Sequence, residues 1–191
     1  MRRHAFDTLM AAAGLVLTAI LVIAGSLLWW GHSFVSGQVH DQLAAQKIFF
    51  PPAGSEGLTA KEFPTLQQYG GQQLADGDQA EAYANVFIAT HLKAIAGGKT
   101  YSQLSTESRA NPDNAELAGQ VQTMFRGETL RGLLLNAYAF GTMATIAGYA
   151  AWAALIGAAI MLALSGMGLW HARRVPGETE ALVGRQATAT V

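Results

Sequence analysis

Two long stretches of this 191-residue chain contain no acidic, basic or histidine side chain. The first covers residues 8–30 and the second covers residues 132–170, which are 23 and 39 residues long. They leave only 13% of the whole chain charged, whereas a soluble domain usually carries charge on about a quarter of its residues. With a formal net charge of −1, the composition excludes an ordinary soluble domain, a disordered chain and a nucleic-acid-binding protein.

The first stretch, residues 8–30, predicts one membrane-spanning helix. A helix rises 1.5 Å per residue, so about 20 apolar residues cross the hydrocarbon core of a bilayer. Trp29 and Trp30 stand at its far end, and tryptophan favours the headgroup boundary because its ring is apolar while its N–H needs water. The alternative is a cleaved signal peptide. Because the run exceeds the roughly 7–15 apolar residues of such peptides and no small-x-small site follows it, we expect an uncleaved anchor.

The second stretch, residues 132–170, is too long for a single crossing. As a helix it would extend about 58 Å, against about 30 Å of hydrocarbon. Two crossings would need a polar or Pro/Gly turn near the middle, where residues 149–161 offer only Gly157. We therefore expect one span over about residues 142–170, continuing from an outer helix. That outer helix carries the apolar side chains Leu133, Leu134, Leu135, Tyr138 and Phe140.

Basic residues near the chain ends predict the orientation. Arg2 and Arg3 precede the first span, while Arg173 and Arg174 follow the second, so the positive-inside rule places both termini in the cytoplasm. We predict an all-α membrane protein of the plasma membrane, with two transmembrane helices and a small helical extracytoplasmic domain. Its parts are a cytoplasmic N-terminus at 1–7, spans at 8–30 and 142–170, an outside domain at 31–141, and a flexible cytoplasmic tail at 171–191.

Neither predicted span contains Asp, Glu, Lys, Arg or His. Ion pathways and proton relays need such groups because polar partners must replace lost hydration, so we do not expect a transporter acting alone. Ala144 with Gly148 and Ala153 with Gly157 form small-xxx-small pairs, which permit close helix approach, although alanine and glycine simply abound here. We expect the two spans to pack against each other in the lipid bilayer.

The predicted outer region contains no cysteine, so helix packing has to stabilise it without disulfides. Val35, Val39 and Leu43 recur every four residues, which extends the first helix outward to about Lys47. Residues 51–75 contain three prolines and several glycines. They predict a loop, with three apolar residues available to tether it: Phe63, Leu66 and Tyr69.

Capping signals bound the remaining outer helices. An apolar stripe predicts a helix over residues 80–95, with Asp78 and Glu81 as a capping box and Gly97-Gly98 as its stop. Thr100 is expected to cap a short helix over residues 101–109. Pro112 is expected to open the last helix, which runs on into the second span. The residues sharing one face of that helix are Leu117, Val121, Met124 and Phe125.

No motif for nucleotide, cofactor or metal binding is complete. The segment Gly97-Gly98-Lys99-Thr100 ends like a phosphate-binding loop, but Lys93 stands where that motif needs a glycine. Around Asp76-Gly77-Asp78 the remaining calcium ligands do not fall in register. His32 and His40 would lie about 12 Å apart on one helix, too far to share a metal ion. We therefore expect no cofactor, nucleotide or metal.

His91 lies on the apolar stripe of the helix predicted over residues 80–95. In that position we expect a core histidine bonded to a backbone carbonyl. A pH-sensitive contact and a ligand site are the alternatives, because histidine is the side chain that changes charge near physiological pH.

Five residues are the candidate contacts with a partner or an anionic lipid: Arg126, Glu128, Arg131, Lys99 and Tyr101. Arg126 and Arg131 would sit about 140° apart on a helix, so that one can face the bundle while the other faces solvent or lipid phosphate. Glu128 lies three residues before Arg131 and can pair with it. The alternative is a salt-bridged helix that enters the lipid headgroups without binding a partner.

Short motifs within residues 35–135 resemble uncharacterised two-span membrane proteins of actinobacteria. The shared residues are Gln42-Leu43-Ala44-Ala45-Gln46-Lys47-Ile48, Asp76-Gly77, Ala82-Tyr83-Ala84, Ile88, His91, Gly98-Lys99-Thr100-Tyr101, and a Leu/Arg-rich start of the second span. This chain departs from the pattern by a longer insertion around residues 51–69 and by residues 110–121. The resemblance implies the two-span topology, and some of those proteins carry an automatically assigned label of aromatic ring-opening dioxygenase.

The chemistry of that label does not fit these residues. Extradiol ring cleavage needs non-haem iron, typically held by two histidines and a carboxylate on one face, and the outer histidines here are scattered along the chain. We expect a non-enzymatic accessory or interaction protein that contacts a membrane-protein partner or a second copy through its outer domain, and no nucleic acid. The alternatives are a sensor of a small ligand or of the envelope and, more remotely, the metal-dependent dioxygenase.

Overall fold

The computed structural model describes residues 3–174, and every regular element within them is helical. The α-helices are α1 (Arg3–Ala45), α2 (Gly77–Ala82), α3 (Ala89–Ile95), α4 (Tyr101–Ala110) and α5 (Ala115–Ala172). A π-helical turn, Tyr83–Ile88, joins α2 to α3, and two short 3₁₀ helices cover Glu56–Leu58 and Pro64–Tyr69. The prediction of an all-α chain is confirmed over this part. The predicted tail at 171–191 lies outside the described residues from residue 175 onward.

The two long helices contain the two uncharged stretches. α1 ends at Ala45, close to the predicted end at Lys47, whose φ of 53° is a left-handed conformation that stops a helix. α5 continues without a turn through residues 132–170, so the prediction of one continuous helix is confirmed. Its predicted start was wrong. The Asn114 side chain accepts a hydrogen bond of 3.0 Å from the Leu117 amide, and α5 therefore begins at Ala115, three residues after Pro112.

The chain divides into two compact units. The first consists of Met1–Gly31 with Ala147–Val191, and the second consists of His32–Ile146. α1 and α5 each contribute residues to both units.

The first unit is an antiparallel pair of helical segments that meet through small residues. A Cβ added at Gly25 would lie 2.9 Å from Cγ of Leu155, and one added at Gly14 would overlap the Oγ of Ser165. Small side chains let the backbones approach this closely, which maximises van der Waals contact. The Thr18 hydroxyl is buried there and donates to the Gly14 carbonyl at 2.8 Å. The expectation that these two segments pack against each other is confirmed.

The small-xxx-small pairs contribute unequally to helix packing. Gly157 faces Leu21 of α1, with 3.6 Å between a built Cβ and Cδ1 of the leucine, whereas Ala153 is exposed. The contact uses other positions of α5 as well. The buried residues of α5 in this unit are Gly148, Ala151, Ala158, Ser165 and Ala172.

Large apolar side chains cover the outside of the first unit. The Ile156 side chain is 56% exposed and the Val16 side chain is 62% exposed. Both lie in stretches of the sequence without charged residues. Trp29 and Trp152 meet edge to face with their ring centroids 5.8 Å apart. Small residues thus lie in the contact while large apolar residues face outward, the reverse of a water-soluble helix pair.

The second unit has a conventional apolar core built around the loop between α1 and α2. The predicted tethers Phe63 and Leu66 are buried, and Tyr69 packs at the edge of the core. Phe50 completes the attachment, because its ring stacks on Tyr69 at 5.3 Å and meets Tyr83 edge to face at 5.1 Å. The remaining buried members of this core are Leu43, Leu58, Leu74, Ala80, Ala84 and Leu134.

The helix predicted over residues 80–95 is interrupted by the π-helical turn Tyr83–Ile88. Its predicted cap was also wrong. Asp76 accepts a hydrogen bond of 2.8 Å from the Gln79 amide, so α2 begins at Gly77 and neither Asp78 nor Glu81 forms the capping box. The Gln79 side chain in turn accepts from the Ala75 amide at 2.7 Å. A polar pair three residues apart caps this helix, but two positions earlier than predicted.

A second, smaller core joins α3, α4 and the start of α5. Gly97 and Gly98 both have positive φ and end α3 as predicted. Thr100 and Gln103 form a capping box for α4, which confirms the prediction for Thr100. The buried residues of this core are Leu92, Ala96, Leu104, Leu117 and Met124.

Candidate interaction surfaces

Arg131 and Glu128 lie together on α5, beside the π-helical turn. An Arg131 guanidinium nitrogen lies 2.8 Å from a Glu128 carboxylate oxygen, so the predicted i, i+3 pair is confirmed. The Arg131 Nε donates to the carbonyl oxygen of Ala84 at 3.0 Å, and another of its nitrogens reaches the Asn85 side chain at 3.4 Å. The Ala84 carbonyl oxygen also accepts from the Ala89 amide at the end of the π-helical turn. Arg131 therefore adds a second hydrogen bond to a carbonyl that has two lone pairs.

Arg126 is on the same helix but outside this network. Its side chain is exposed, and it forms no hydrogen bond or ion pair with another residue between 3 and 174. Arg126 and Arg131 therefore have different surroundings, as the predicted angle of about 140° between them on the helix implies.

Lys99 and Tyr101 flank the start of α4. The Lys99 ammonium pairs with the Glu107 carboxylate, and both side chains are about half exposed. The Tyr101 ring lies 5.9 Å from the ring of Phe125, which is itself 52% exposed. Arg126 directly follows Phe125 and is also exposed, about 100° further round α5. We name Tyr101, Phe125 and Arg126 the aromatic–arginine patch.

His91 is bonded to a backbone carbonyl as expected, with its Nδ1 2.7 Å from the oxygen of Phe87. It is not a core residue, because its side chain is exposed. The imidazole stacks on the buried ring of Phe63 at 5.7 Å with an interplanar angle of 8°. Stacking on Phe63 keeps the histidine at the rim of the core, where its second ring nitrogen remains accessible.

Two tyrosines near this core have raised pKa values. Burial raises the pKa of the Tyr83 phenol because the phenolate would lose hydration. The pKa of Tyr69 is raised by burial and then by the negative charges of Asp76, Asp78 and Glu81. Both phenols therefore act as neutral groups at physiological pH.

The other two histidines of the second unit, His32 and His40, have different surroundings. The His32 Nδ1 lies 2.7 Å from the carbonyl oxygen of Ala144. His40 faces a cleft of about 430 Å³ together with Asp76, Asp78 and Thr145. Within residues 3–174, no group of three or more His, Cys, Asp or Glu side chains is close enough to hold a metal ion.

A groove of about 450 Å³ lies between α1 and α5 within the second unit, and the sequence patterns did not reveal it. We name it the apolar groove. It is lined by Phe34, Val35, Gln38, Val39, Gln42, Leu43 and Gln46 of α1, and by Leu130, Leu133, Leu134, Asn136, Ala137 and Phe140 of α5. Gln38, Gln42 and Gln46 recur every four residues and so lie on one line along α1. This spacing in the sequence indicates a polar edge beside the apolar face of the helix.

Comparisons of the chain with protein-family models, with curated proteins and with solved structures found no match. A function therefore has to be argued from the residues and geometry of the chain itself.

Proposed function

We propose that the chain is a two-span plasma-membrane protein with both termini in the cytoplasm and residues 31–141 outside. α1 and α5 are long and apolar enough to cross a membrane. The observation that carries the proposal is the reversed packing of the first unit, with small residues inside and large apolar residues outside. Water would drive those large side chains inward, whereas hydrocarbon tails accept them and leave small residues to form the helix contact.

The orientation is supported by the ends of the spans. Arg173 and Arg174 follow Trp170, and the Arg174 guanidinium carbon lies 3.9 Å from the centre of the Trp170 ring. An arginine stacked on tryptophan suits the boundary between headgroups and water. Arg2 and Arg3 supply the matching positive charge before the first span.

The topology can be tested cleanly because the chain has no cysteine. We would introduce Ser102→Cys in the predicted outer domain and Thr188→Cys in the predicted tail, and treat intact cells with a membrane-impermeant maleimide. Ser102→Cys should react at once, while Thr188→Cys should react only after the membrane is permeabilised. Reaction of both in intact cells, or release of the protein by an alkaline carbonate wash, would contradict the topology.

For the role of the outer domain, we propose a non-enzymatic interaction protein that docks a membrane-protein partner on the aromatic–arginine patch. Exposed aromatic and arginine side chains are among those that contribute most at protein interfaces. Arg131 and Glu128 support the patch indirectly, because their hydrogen bonds hold α5 against the π-helical turn. Lys99 is a weaker contact, since Glu107 already neutralises it.

A photo-crosslinking amino acid at Phe125 would test this contact in living cells. We expect it to capture one defined protein, or a second copy of this chain, and Arg126→Glu should greatly reduce the product. The matched control places the same crosslinker at Gln122, which is exposed on the same helix outside the patch. Equal products from both positions, or no effect of Arg126→Glu, would show that the patch is not a docking site.

A second candidate is a sensor whose outer domain binds a small ligand in the cleft beside His40. Ser36, His40, Asp76, Asp78 and Thr145 bring polar groups together there, and the two carboxylates favour a cationic ligand. Small amines should then raise the thermal unfolding midpoint of the wild type but not that of Asp78→Asn. The labelled dioxygenase is the remote candidate, and metal analysis of the purified protein would remove it if no stoichiometric metal is found.

A further inference from the structure

The dimensions of the apolar groove restrict what can fill it. Along α1 its lining runs from Phe34 to Gln46, a rise of about 18 Å. A volume of about 450 Å³ spread over that length leaves a mean cross-section of about 25 Å². A hydrocarbon chain is about 4 Å across, because non-bonded carbons approach to about that distance, and it fits.

The chemistry of the lining also selects a neutral occupant. None of its thirteen residues is charged, and most are apolar. Leu133 is 61% exposed and Phe140 is 56% exposed, so large apolar surfaces remain uncovered along one side. Covering such surface is favourable by about 25 cal/mol per Å², which gives a chain of methylene groups a reason to enter.

A row of amides borders this apolar surface. Gln38, Gln42 and Gln46 lie on one line of α1, and the Gln42 amide donates to the Gln38 side-chain oxygen at 3.3 Å. Primary amides offer both donors and acceptors without charge. They suit an ester or hydroxyl group at the polar end of a lipid, and they would not attract a free ion.

We propose that the apolar groove binds one hydrocarbon chain of a membrane lipid, with the glutamine row contacting the ester or hydroxyl groups of the same molecule. The proposal rests on the two-span topology. In the sequence, Phe34 follows Trp30 by four residues and Phe140 precedes the predicted second span by two. The lining residues nearest the proposed spans are therefore aromatic, and along α1 the lining begins about 6 Å of helix beyond Trp30.

The test uses the full chain in nanodiscs of phosphatidylcholine that carries a diazirine on one acyl chain. After illumination, adducts are mapped by mass spectrometry of peptides. Adducts on the spans are expected from the topology, and additional adducts over residues 39–46 are expected from the groove. Leu43, in the second half of that segment, lies thirteen residues after Trp30. This is about 20 Å of helix, a distance that the acyl chains of the surrounding bilayer do not reach.

Two substitutions and two matched controls make the test specific. Gln42→Glu should lower labelling of residues 39–46 by at least about tenfold, because a carboxylate cannot donate a hydrogen bond to an ester and brings a charge to the edge of the apolar groove. Gln122→Glu adds the same charge at an exposed site outside the groove and should change nothing. Ala137→Phe should fill the groove and block labelling, while Ala139→Phe, exposed and outside the lining, should not.

Each outcome separates the lipid proposal from the topology. Adducts on the spans without adducts over residues 39–46 would overturn the lipid proposal alone. An absence of adducts from both regions would overturn the two-span topology as well. Labelling of residues 39–46 that survives both Gln42→Glu and Ala137→Phe would also overturn the groove as the binding site. A photo-crosslinking amino acid placed at Leu133 that captures a second copy of the chain would overturn it too, because a second chain would then be the occupant.

Discussion

Gly77 and Gly141 touch through their backbones, because a Cβ built on Gly141 would lie 3.3 Å from the Cα of Gly77. The contact brings the first residue of α2 directly against α5 within the second unit. On the other side of it, a Cβ built on Gly77 would lie 3.3 Å from the Cα of Tyr138. A larger side chain at either position would therefore push α2 away from α5.

Gly141→Val should destabilise the second unit by about 1–3 kcal/mol, because its side chain would have to displace backbone atoms of α2. Gly119→Val is the matched control. It lies in the same helix with nothing within 4 Å of a built Cβ, so the higher helix propensity of valine should make it neutral or slightly stabilising. Thermal unfolding of both variants in mild detergent, followed by circular dichroism, measures the difference. Equal midpoints would contradict the close approach.

The contact between α1 and α5 in the first unit predicts a second pair of variants. Gly25→Val should separate the helices, because its Cβ alone would lie 2.9 Å from the Leu155 side chain and 3.3 Å from the Ala151 carbonyl oxygen. The near-ultraviolet circular dichroism of the Trp29–Trp152 pair reports this separation and should weaken. Gly166→Val, where nothing lies within 4 Å, should leave the signal unchanged. An intact signal in Gly25→Val would rule out the proposed packing.

The large elements of the fold could be predicted because strong local signals specify them. The two uncharged stretches predicted α1 and the continuous α5, and Gly97-Gly98 with Thr100 predicted the turn before α4. The errors arose where alternative signals were equally strong. Asp76 and Asp78 are both competent caps, and the hydrogen bonds from the Gln79 amide to Asp76 and from the Ala75 amide to Gln79 depend on tertiary placement that the sequence does not show.

The candidate site was less predictable because tertiary contacts determine how each polar side chain is used. Glu128 and Arg131 were identified as a pair, but the sequence contains no signal for the π-helical turn whose carbonyl Arg131 binds. The apolar groove depends on which faces of α1 and α5 remain uncovered, and a periodic pattern on one helix does not specify that. Phe125 was placed on a shared helix face with buried residues, yet it is exposed beside Tyr101.

Arg131→Gln should destabilise the second unit by about 1.5–3 kcal/mol, because a partly buried charged donor to the Ala84 carbonyl is lost. Hydrogen exchange should accelerate most at the amides of the π-helical turn Tyr83–Ile88, which that bond holds. Arg126→Gln removes an exposed arginine from the same helix and should change neither stability nor exchange measurably. If Arg131→Gln leaves exchange at the turn unchanged, the bond to Ala84 does not stabilise it.

The partly buried phenol of Tyr83 predicts a loss of stability at alkaline pH. Its pKa is raised above the ordinary value of 10.0, so the unfolded chain releases the phenolic proton at a lower pH than the folded protein does. The stabilisation is fully present below about pH 10 and is lost as the pH rises through the raised pKa. Tyr83→Phe keeps the ring contacts with Phe50 and Phe87 but has no proton to release. Its free energy of unfolding should therefore fall less steeply above about pH 10 than that of the wild type, as measured by denaturant unfolding at a series of pH values. Parallel curves for the two proteins would show that Tyr83 ionises equally in both states.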